Sequence, residues 1–108
     1  MTFVEQDRRA VALIDENLTA CGVRGGYTIR RGDAATVLPG LGASAFDLIL
    51  LDPPYDTMPI TAVLDASART LAGDGLVVLE HATRRHPEHS AWLEPVRQVK
   101  SGDSTLTF

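Results

Sequence analysis

The stretch FDLILLDPPYD, residues 46–56, holds the residue types in this sequence that are best suited to chemistry. An apolar run ends at Asp52, two prolines follow, and Tyr55 comes next. Because proline has no backbone N–H and fixes φ near about −65°, the pair ends a strand and stiffens the chain behind it. The Asp52 carboxylate and the Pro53 carbonyl can each accept one N–H of a nucleobase amino group, while the Tyr55 ring stacks on the base. The motif therefore predicts a rigid holder for such an amino group.

An amino group held in this way is prepared to attack an electrophile. An amino nitrogen conjugated to a ring is a poor nucleophile. Fixing both of its hydrogens directs the lone pair and stabilises the positive charge that develops on nitrogen. A strand-ending turn without a chemical role is the alternative interpretation of the same four residues, 52–55.

The elements that must position this motif alternate between strands and helices. The pattern predicts strands at 2–5, 27–31, 46–51 and 76–80, and two more at the C-terminus, joined by a turn at Ser101-Gly102-Asp103. Helices are predicted from a cap at Asp7 to a stop at Gly22, and over 58–72 with Pro59 in the first turn; residues 32–42 give a short helical turn and a loop. The nearly continuous apolar run at 46–51 predicts a strand covered on both faces. The order indicates an α/β fold with a mostly parallel sheet and an antiparallel edge.

Four acidic residues follow the predicted carboxyl ends of the strands: Glu5, Asp33, Asp52 and Glu80. Ligands of parallel α/β sheets bind beyond these ends, and a carboxylate there can accept hydrogen bonds from ribose hydroxyls or base amino groups. Acidic residues are also common in loops and at helix caps. Their shared register with the strand pattern favours a ligand site.

Length and composition limit the class of protein. At 108 residues the chain is one domain at most, it has no apolar tract that could span a bilayer, and its first residues lack a signal-peptide pattern. The single cysteine, Cys21, cannot form an internal disulfide, is interpreted as a small apolar side chain near a helix end, and fits a reducing, cytoplasmic setting. A net charge of −4 does not indicate a free-standing nucleic-acid binder.

The Asp-Pro-Pro-Tyr element at 52–55 is similar to the [Asp/Asn/Ser]-Pro-Pro-[aromatic] signature of amino-group N-methyltransferases that use S-adenosylmethionine. Together with TFVEQD, GDA and the closing GDSTLTF, it makes essentially the whole chain resemble the RsmD family of bacterial small-subunit ribosomal RNA guanine-N2 methyltransferases. The resemblance implies a Rossmann-like methyltransferase fold and a cytoplasmic enzyme that acts on ribosomal RNA or an assembly particle. It also implies direct in-line methyl transfer.

The resemblance also implies roles for particular residues. Glu5 would hydrogen-bond the ribose hydroxyls of S-adenosylmethionine, and Asp33 would receive its adenine amino group with the Ala34 backbone nearby. The target guanine would be held by Asp52, Pro53 and Tyr55, with Pro54 shaping the loop. No metal is implied.

The sequence departs from the family at its start. Such enzymes open with a basic arm, a first strand and a glycine-rich loop, and this sequence has no counterpart of them. Residues 1–108 are therefore expected to be a partial catalytic domain, the C-terminal two-thirds, with the first strand and helix missing and with impaired activity. The missing strand would lie between the strands ending at Glu5 and Asp52, and we expect a monomer whose open strand edges can lead to aggregation or self-association. We expect the nucleotides upstream to encode the basic arm, the strand and the loop in the same frame.

Other interpretations remain open at this level. One is a different Rossmann-like enzyme that uses Glu5 for the ribose of a dinucleotide, and another is a non-catalytic fragment or a half-domain completed by a partner. The histidines at 81, 86 and 89 favour a solvated loop over a metal site. The arginine pairs at 8–9, 30–31 and 84–85 are equally compatible with RNA phosphate contacts and with ordinary surface.

Overall fold

The computed structural model describes residues 1–54, 60–85 and 90–108. In chain order the elements are β1 (Thr2–Glu5), α1 (Arg8–Ala20), β2 (Thr28–Arg31), α2 (Ala34–Val37) with a following 3-10 turn (Leu38–Leu41), β3 (Phe46–Leu51), α3 (Ile60–Thr70), β4 (Leu71–Ala82), β5 (Gln98–Ser101) and β6 (Ser104–Thr107). In these three ranges, none of the helices has the length and apolar character needed to cross a membrane.

The strands form two separate sheets. β1 and β2 are parallel, with Glu5 opposite Arg31, and the second sheet has the order β3-β4-β6-β5. β3 and β4 are parallel, whereas β6 runs antiparallel to both β4 and β5. The α/β class with parallel strands and a C-terminal antiparallel hairpin is thus confirmed. Within the described ranges β1 and β3 are not paired with each other, so the sheet has the gap expected between the strands that end at Glu5 and Asp52.

Helix α1 begins and ends where the sequence predicts. The Asp7 carboxylate accepts hydrogen bonds from the N–H groups of Arg9 (2.7 Å) and Ala10 (3.0 Å). The helix stops before Cys21, and Gly22 takes a φ of +77°, which glycine adopts without steric cost. The Cys21 side chain is exposed rather than packed.

The core lies between α3 and one face of the four-stranded sheet. Its main cluster consists of Ile49, Leu64, Val77 and Leu79. A second cluster joins the same helix to the turn after α2 and consists of Leu38, Val63 and Ala66. The segment before β3 thus contributes to the core through this turn and through Ala34 and Ala35 of α2, which pack against the same cluster.

The other face of β3 is uncovered, contrary to the prediction of a strand covered on both faces. Side chains alternate along a strand, so Ile49 points toward α3 while Leu48 and Leu50 point away. These two leucines are 54% and 71% exposed. An apolar run predicts coverage on both faces only if a second layer is present, and no described element covers this face of β3.

The boundary between α3 and β4 differs from the prediction. The helix ends at Thr70 rather than Ala72, and β4 begins at once and runs to Ala82 instead of covering only 76–80. A register shift lies between the pairs Phe46–Leu71 and Leu48–Leu76. A Cβ on Gly75 would lie 2.7 Å from the Leu71 side chain, so glycine permits this close approach. The predicted helix start at Met58 and Pro59 lies outside the described residues.

The C-terminal hairpin forms as predicted around Gly102, which has a φ of +57°. The His81 ring lies on the sheet, with Nε2 2.9 Å from the Thr107 hydroxyl and Nδ1 3.1 Å from the Ala82 carbonyl oxygen. His81 therefore belongs to β4, and the prediction of a solvated loop is wrong for this histidine. His86 and His89 lie outside the described residues.

Candidate functional site

A cleft of about 410 Å³ lies between the facing edges of β1 and β3. This volume falls within the range of roughly 300–1,000 Å³ that is typical of small-ligand sites. Its walls are largely apolar and include Phe3, Leu48 and Leu50. Six of the seven residues singled out from the sequence line the same cleft: Glu5, Asp33, Ala34, Asp52, Pro53 and Pro54. The seventh, Tyr55, lies outside the described residues.

Glu5 is the last residue of β1, and both its side chain and its backbone are held. One carboxylate oxygen accepts the Asp7 N–H at 2.7 Å, and the Glu5 carbonyl oxygen accepts the Gly32 N–H at 3.0 Å. The side chain is half-buried in the cleft wall. Its second carboxylate oxygen has no hydrogen bond within the described residues and can accept one from a ligand hydroxyl.

Asp33 caps α2 from the end of β2. Its Oδ1 accepts the Thr36 N–H at 3.2 Å and lies 3.4 Å from the Thr36 hydroxyl. Ala34 is the first helical residue and, like Asp33, is half-buried. The cap therefore fixes the orientation of the carboxylate and leaves Oδ2 to accept an N–H donor.

Asp52 is the first residue after β3 and is exposed at the mouth of the cleft, with Pro53 half-buried behind it. The fourth predicted acid, Glu80, is placed differently. It lies two residues before the end of β4, accepts a hydrogen bond from the Ser104 hydroxyl at 2.7 Å, and does not line the cleft. The structure thus brings three of the four acids together and separates the fourth.

Two residues that sequence reasoning did not assign to the site hold these acids in place. A Cβ on Gly32 would lie 2.7 Å from Cγ2 of Val37, and the Gly32 N–H binds the Glu5 carbonyl, so this glycine joins the Glu5 and Asp33 segments. Asp7 was identified as a helix cap, yet its N–H also binds the Glu5 carboxylate. In the sequence, Gly32 can be recognised as a site residue only by its position directly before Asp33.

The electrostatics at this edge are set by the start of α1. Hydrogen bonds from the N–H groups of Ala10 and Arg9 hold the pKa of Asp7 below its usual value of 3.8. Asp7 is therefore ionised at neutral pH and carries a negative charge two residues from Glu5.

The donor and acceptor set fits the adenosine portion of a nucleoside cofactor. Glu5 and Asp33 each engage one oxygen within the described chain, which leaves one acceptor each for ribose hydroxyls and a base amino group. The apolar walls fit the flat face of a base. Fold and cleft together define an α/β protein with a candidate nucleoside site.

The family model described as "Conserved hypothetical protein 95" matches residues 1–108, so the chain belongs to this family. A search of curated proteins finds no match. Among solved structures, a conserved hypothetical protein from Streptococcus pyogenes is 30% identical, with a TM-score of 0.81 over 98% of this chain and 68% of that one.

Two further structures share the fold at lower identity. A candidate methyltransferase from Escherichia coli is 17% identical with a TM-score of 0.75, and a candidate methylase from Haemophilus influenzae is 14% identical with a TM-score of 0.76. Each match covers 98% of this chain, and 59% and 68% of those chains respectively. The chain therefore has the α/β fold of these proteins and spans about three-fifths to two-thirds of their length.

Proposed function

We propose that this chain takes part in methylating the exocyclic N2 amino group of a guanine in small-subunit ribosomal RNA, with S-adenosylmethionine as the methyl donor. The observation that carries the proposal is the cleft in which Glu5 and Asp33 face Asp52, Pro53 and Pro54. A cofactor site and a holder for an amino group must share one cavity if a group is to pass between them. Membership of the family and the fold shared with the two candidate methyltransferases support the reaction class.

Glu5 and Asp33 bind the adenosine portion in this proposal. The free oxygen of Glu5 accepts hydrogen bonds from the ribose hydroxyls, and Asp33 accepts one from the adenine amino group beside the Ala34 backbone. Both carboxylates are oriented beforehand by N–H groups of the chain, at 2.7 Å for Glu5 and 3.2 Å for Asp33. The cofactor supplies an electrophilic methyl group on a sulfonium.

Asp52, Pro53 and Tyr55 hold the guanine. The Asp52 carboxylate and the Pro53 carbonyl each accept one hydrogen of the amino group, Tyr55 stacks on the ring, and Pro54 keeps the loop in shape. Holding both hydrogens directs the nitrogen lone pair toward the methyl group and stabilises the charge that forms on nitrogen. The nitrogen would take the methyl carbon as the carbon–sulfur bond breaks, the sulfur would leave as a neutral thioether, and the proton of the nitrogen would leave afterwards to solvent or to Asp52.

Calorimetric titration and a methyl-transfer assay on ribosomal RNA test this function. Residues 1–108 should bind S-adenosylmethionine weakly and should not bind NAD, since NAD binding would favour a dinucleotide-dependent enzyme instead. Asp52→Ala should abolish methyl transfer and leave cofactor affinity within about twofold, because the lost acceptor acts mainly in the transition state. Asp47→Ala, which removes an exposed carboxylate at the other end of β3, is the matched control and should keep full activity.

Two further variants separate cofactor from substrate binding. Glu5→Ala should weaken cofactor binding, whereas Glu16→Ala, an exposed change on α1, should not. Tyr55→Ala should cost about 1–3 kcal/mol of substrate binding, the value of a base–aromatic stack. Full activity of Asp52→Ala would show that the strand-end motif has no role in the reaction.

A second candidate function is a half-domain whose sheet is completed by another polypeptide. The observation in its favour is that the facing edges of β1 and β3 line one cleft without pairing with each other, and that Leu48 and Leu50 are largely exposed beside it. Unpaired strand edges readily accept a further strand. Cofactor binding that is absent from this chain alone and arises on adding a second polypeptide, seen by native mass spectrometry, would favour this candidate.

A further inference from the structure

The turn that follows β4 places two arginines at the same sheet edge as Asp52. β3 and β4 are parallel with Leu51 opposite Leu79, and β4 continues to Ala82 before Arg84 and Arg85. At about 3.3 Å per residue, the turn stands roughly 10 Å beyond the level at which β3 ends. Both arginines are exposed. They therefore stand at the same sheet edge as Asp52, one strand away from it.

The backbone of this turn is fixed by the C-terminal hairpin. The Thr83 N–H donates to the Asp103 carbonyl oxygen at 2.8 Å, and the Thr83 hydroxyl lies 3.3 Å from the Gly102 carbonyl oxygen and 2.9 Å from the Thr105 hydroxyl. The Arg85 N–H closes the turn by donating to the Ala82 carbonyl at 2.9 Å. Because these bonds set where the two arginine Cα atoms stand, only the long side chains need to adjust to a ligand.

Basic side chains gather near the turn. The chain carries a net charge of −4, which disfavours the approach of a polyanion except where cations are concentrated. Arg84, Arg85 and Lys100 of β5 are exposed here, and the described acids at the same sheet edge are Asp52, Glu80 and Asp103. The turn is therefore a place where two neighbouring arginines are open to solvent in an acidic chain.

We propose that the turn of residues 83–85 is the surface that binds the RNA phosphates next to the target nucleotide. The proposal rests on the proposed function, since it assumes that a base of an RNA strand reaches Asp52. A base that enters a pocket brings the phosphates on either side of it to the rim of that pocket. Arginine binds phosphate oxygens through its planar group of N–H donors, and such contacts fix the position of a strand without reading its sequence.

The other arginine pairs occupy a different place. Arg8 and Arg9 begin α1, and Arg30 and Arg31 end β2, so both pairs stand on the β1–β2 side of the gap with Glu5 and Asp33. The turn after β4 stands on the side of Asp52, one strand away from it. Among the three pairs, 84–85 is therefore the one placed to contact the strand that carries the base.

The test compares two double variants that remove the same charge. Arg84→Ala/Arg85→Ala removes the pair at the turn, and Arg24→Ala/Arg69→Ala removes two exposed arginines at the opposite ends of the strands, where α1 leads into β2 and α3 leads into β4. The probe is a fluorescein-labelled single-stranded RNA of about 12 nucleotides with one guanine, followed by fluorescence anisotropy between 50 and 200 mM KCl without cofactor. Since each neutralised phosphate of a single strand contributes about 0.7 to the slope of log affinity against log salt, the first variant should lower that slope by about 1.4. The control should leave it unchanged.

Conservative replacement separates charge from structure. Arg84→Lys/Arg85→Lys keeps both positive charges and should restore most of the salt slope, and thermal melts should show that all three variants are folded. Three outcomes would overturn the proposal. The two alanine pairs could weaken RNA binding equally, Arg84→Ala/Arg85→Ala could have no effect on it, or the unaltered chain could fail to bind the RNA. The anisotropy assay needs no turnover, so the two proposals can fail separately. If Asp52→Ala is inactive but Arg84→Ala/Arg85→Ala leaves the salt slope unchanged, the turn does not bind RNA and the proposed function stands. If Arg84→Ala/Arg85→Ala lowers the salt slope but Asp52→Ala is fully active, the turn binds RNA and the proposed role of Asp52 is wrong.

Discussion

The two halves of the candidate site are supported very differently. No residue before Leu38 is buried, whereas all eight buried apolar side chains in the described part of the chain lie within 38–82. Glu5 and Asp33 therefore stand on a thin layer of β1, α1 and β2 and are oriented by hydrogen bonds from residues two or three positions further along the chain. Asp52 instead directly follows a strand whose Ile49 lies in the main core cluster.

The difference shows that the strand leading to Asp52 is anchored in a packed core, whereas the segment that carries Glu5 and Asp33 is not. Burial of apolar side chains is the main source of stability in a folded domain. A unit without buried side chains opens locally at a low free-energy cost. A ligand that bridges Glu5, Asp33 and Asp52 would stabilise the weaker half by binding only its closed form.

Removing a core side chain should give the largest effect. Leu64, 7% exposed on α3, packs against Ile49 and Val77. Leu64→Ala should lower the free energy of unfolding by about 2–5 kcal/mol because it leaves a cavity. Leu13→Ala on α1, where the leucine is 55% exposed, should change it by no more than about 0.5 kcal/mol. Urea unfolding measures both, and similar losses would mean that the two halves are equally well packed.

Crowding the link between Glu5 and Asp33 should give the next effect. In Gly32→Ala the new Cβ would meet Val37, and relieving that contact should cost about 1–3 kcal/mol, seen as weaker binding of S-adenosylmethionine and lower stability. Gly25→Ala has no atom within 4 Å of the added Cβ and is the matched control. Unchanged cofactor affinity in Gly32→Ala would show that this glycine does not position the acids.

Hydrogen exchange should then separate the two sheets directly. Amides of β1 and β2 should exchange about tenfold or more faster than those of β3 and β4, equivalent to a difference of about 1.4 kcal/mol in the opening free energy. S-adenosylmethionine at saturation should slow exchange mainly in β1 and β2. Equal protection of both sheets without ligand would contradict the unequal support inferred for the two halves.

A substitution at the open edge of β3 should change self-association while leaving the stability of the fold almost unaltered. Leu50→Thr should reduce self-association in sedimentation velocity, since Leu50 is 71% exposed beside an unpaired strand edge. The free energy of unfolding should stay within about 0.5 kcal/mol. Val96→Thr, where the valine is 73% exposed and outside the cleft, should leave the association state unchanged. If both variants reduce self-association equally, the open edge of β3 is not the contact between copies.

The smallest effect concerns the cap of α1 and depends on pH. Hydrogen bonds from Ala10 and Arg9 lower the pKa of Asp7 in the folded chain. A lowered folded pKa means that the stabilisation is present above the unfolded value and is lost as pH falls through the folded one, so it should fade below about pH 4. Asp7→Ala should therefore lower the thermal midpoint at pH 7 more than in acid. Asp7→Asn, which keeps a capping oxygen, should lose less, and a pH-independent loss in Asp7→Ala would exclude this cause.

The local sequence alone determined where several helices, strands and turns begin or end. Asp7 and Gly22 set the ends of α1 through a carboxylate that binds N–H groups and a residue free to take a positive φ. Gly102 set the hairpin turn for the same reason, and the prolines after Asp52 ended β3. Each of these outcomes depends on groups within a few residues of one another, so the sequence was sufficient to predict it.

Only the tertiary structure decided which residues meet and which faces are covered. The same apolar run predicts β3 whether or not a layer covers it, so the exposure of Leu48 and Leu50 was not visible in the sequence. Four acids followed the same strand pattern, yet Glu80 bound Ser104 while the other three came to line one cleft. The physical reason is that burial and proximity depend on partners far away in the chain, and these are brought together only when the sheets are assembled.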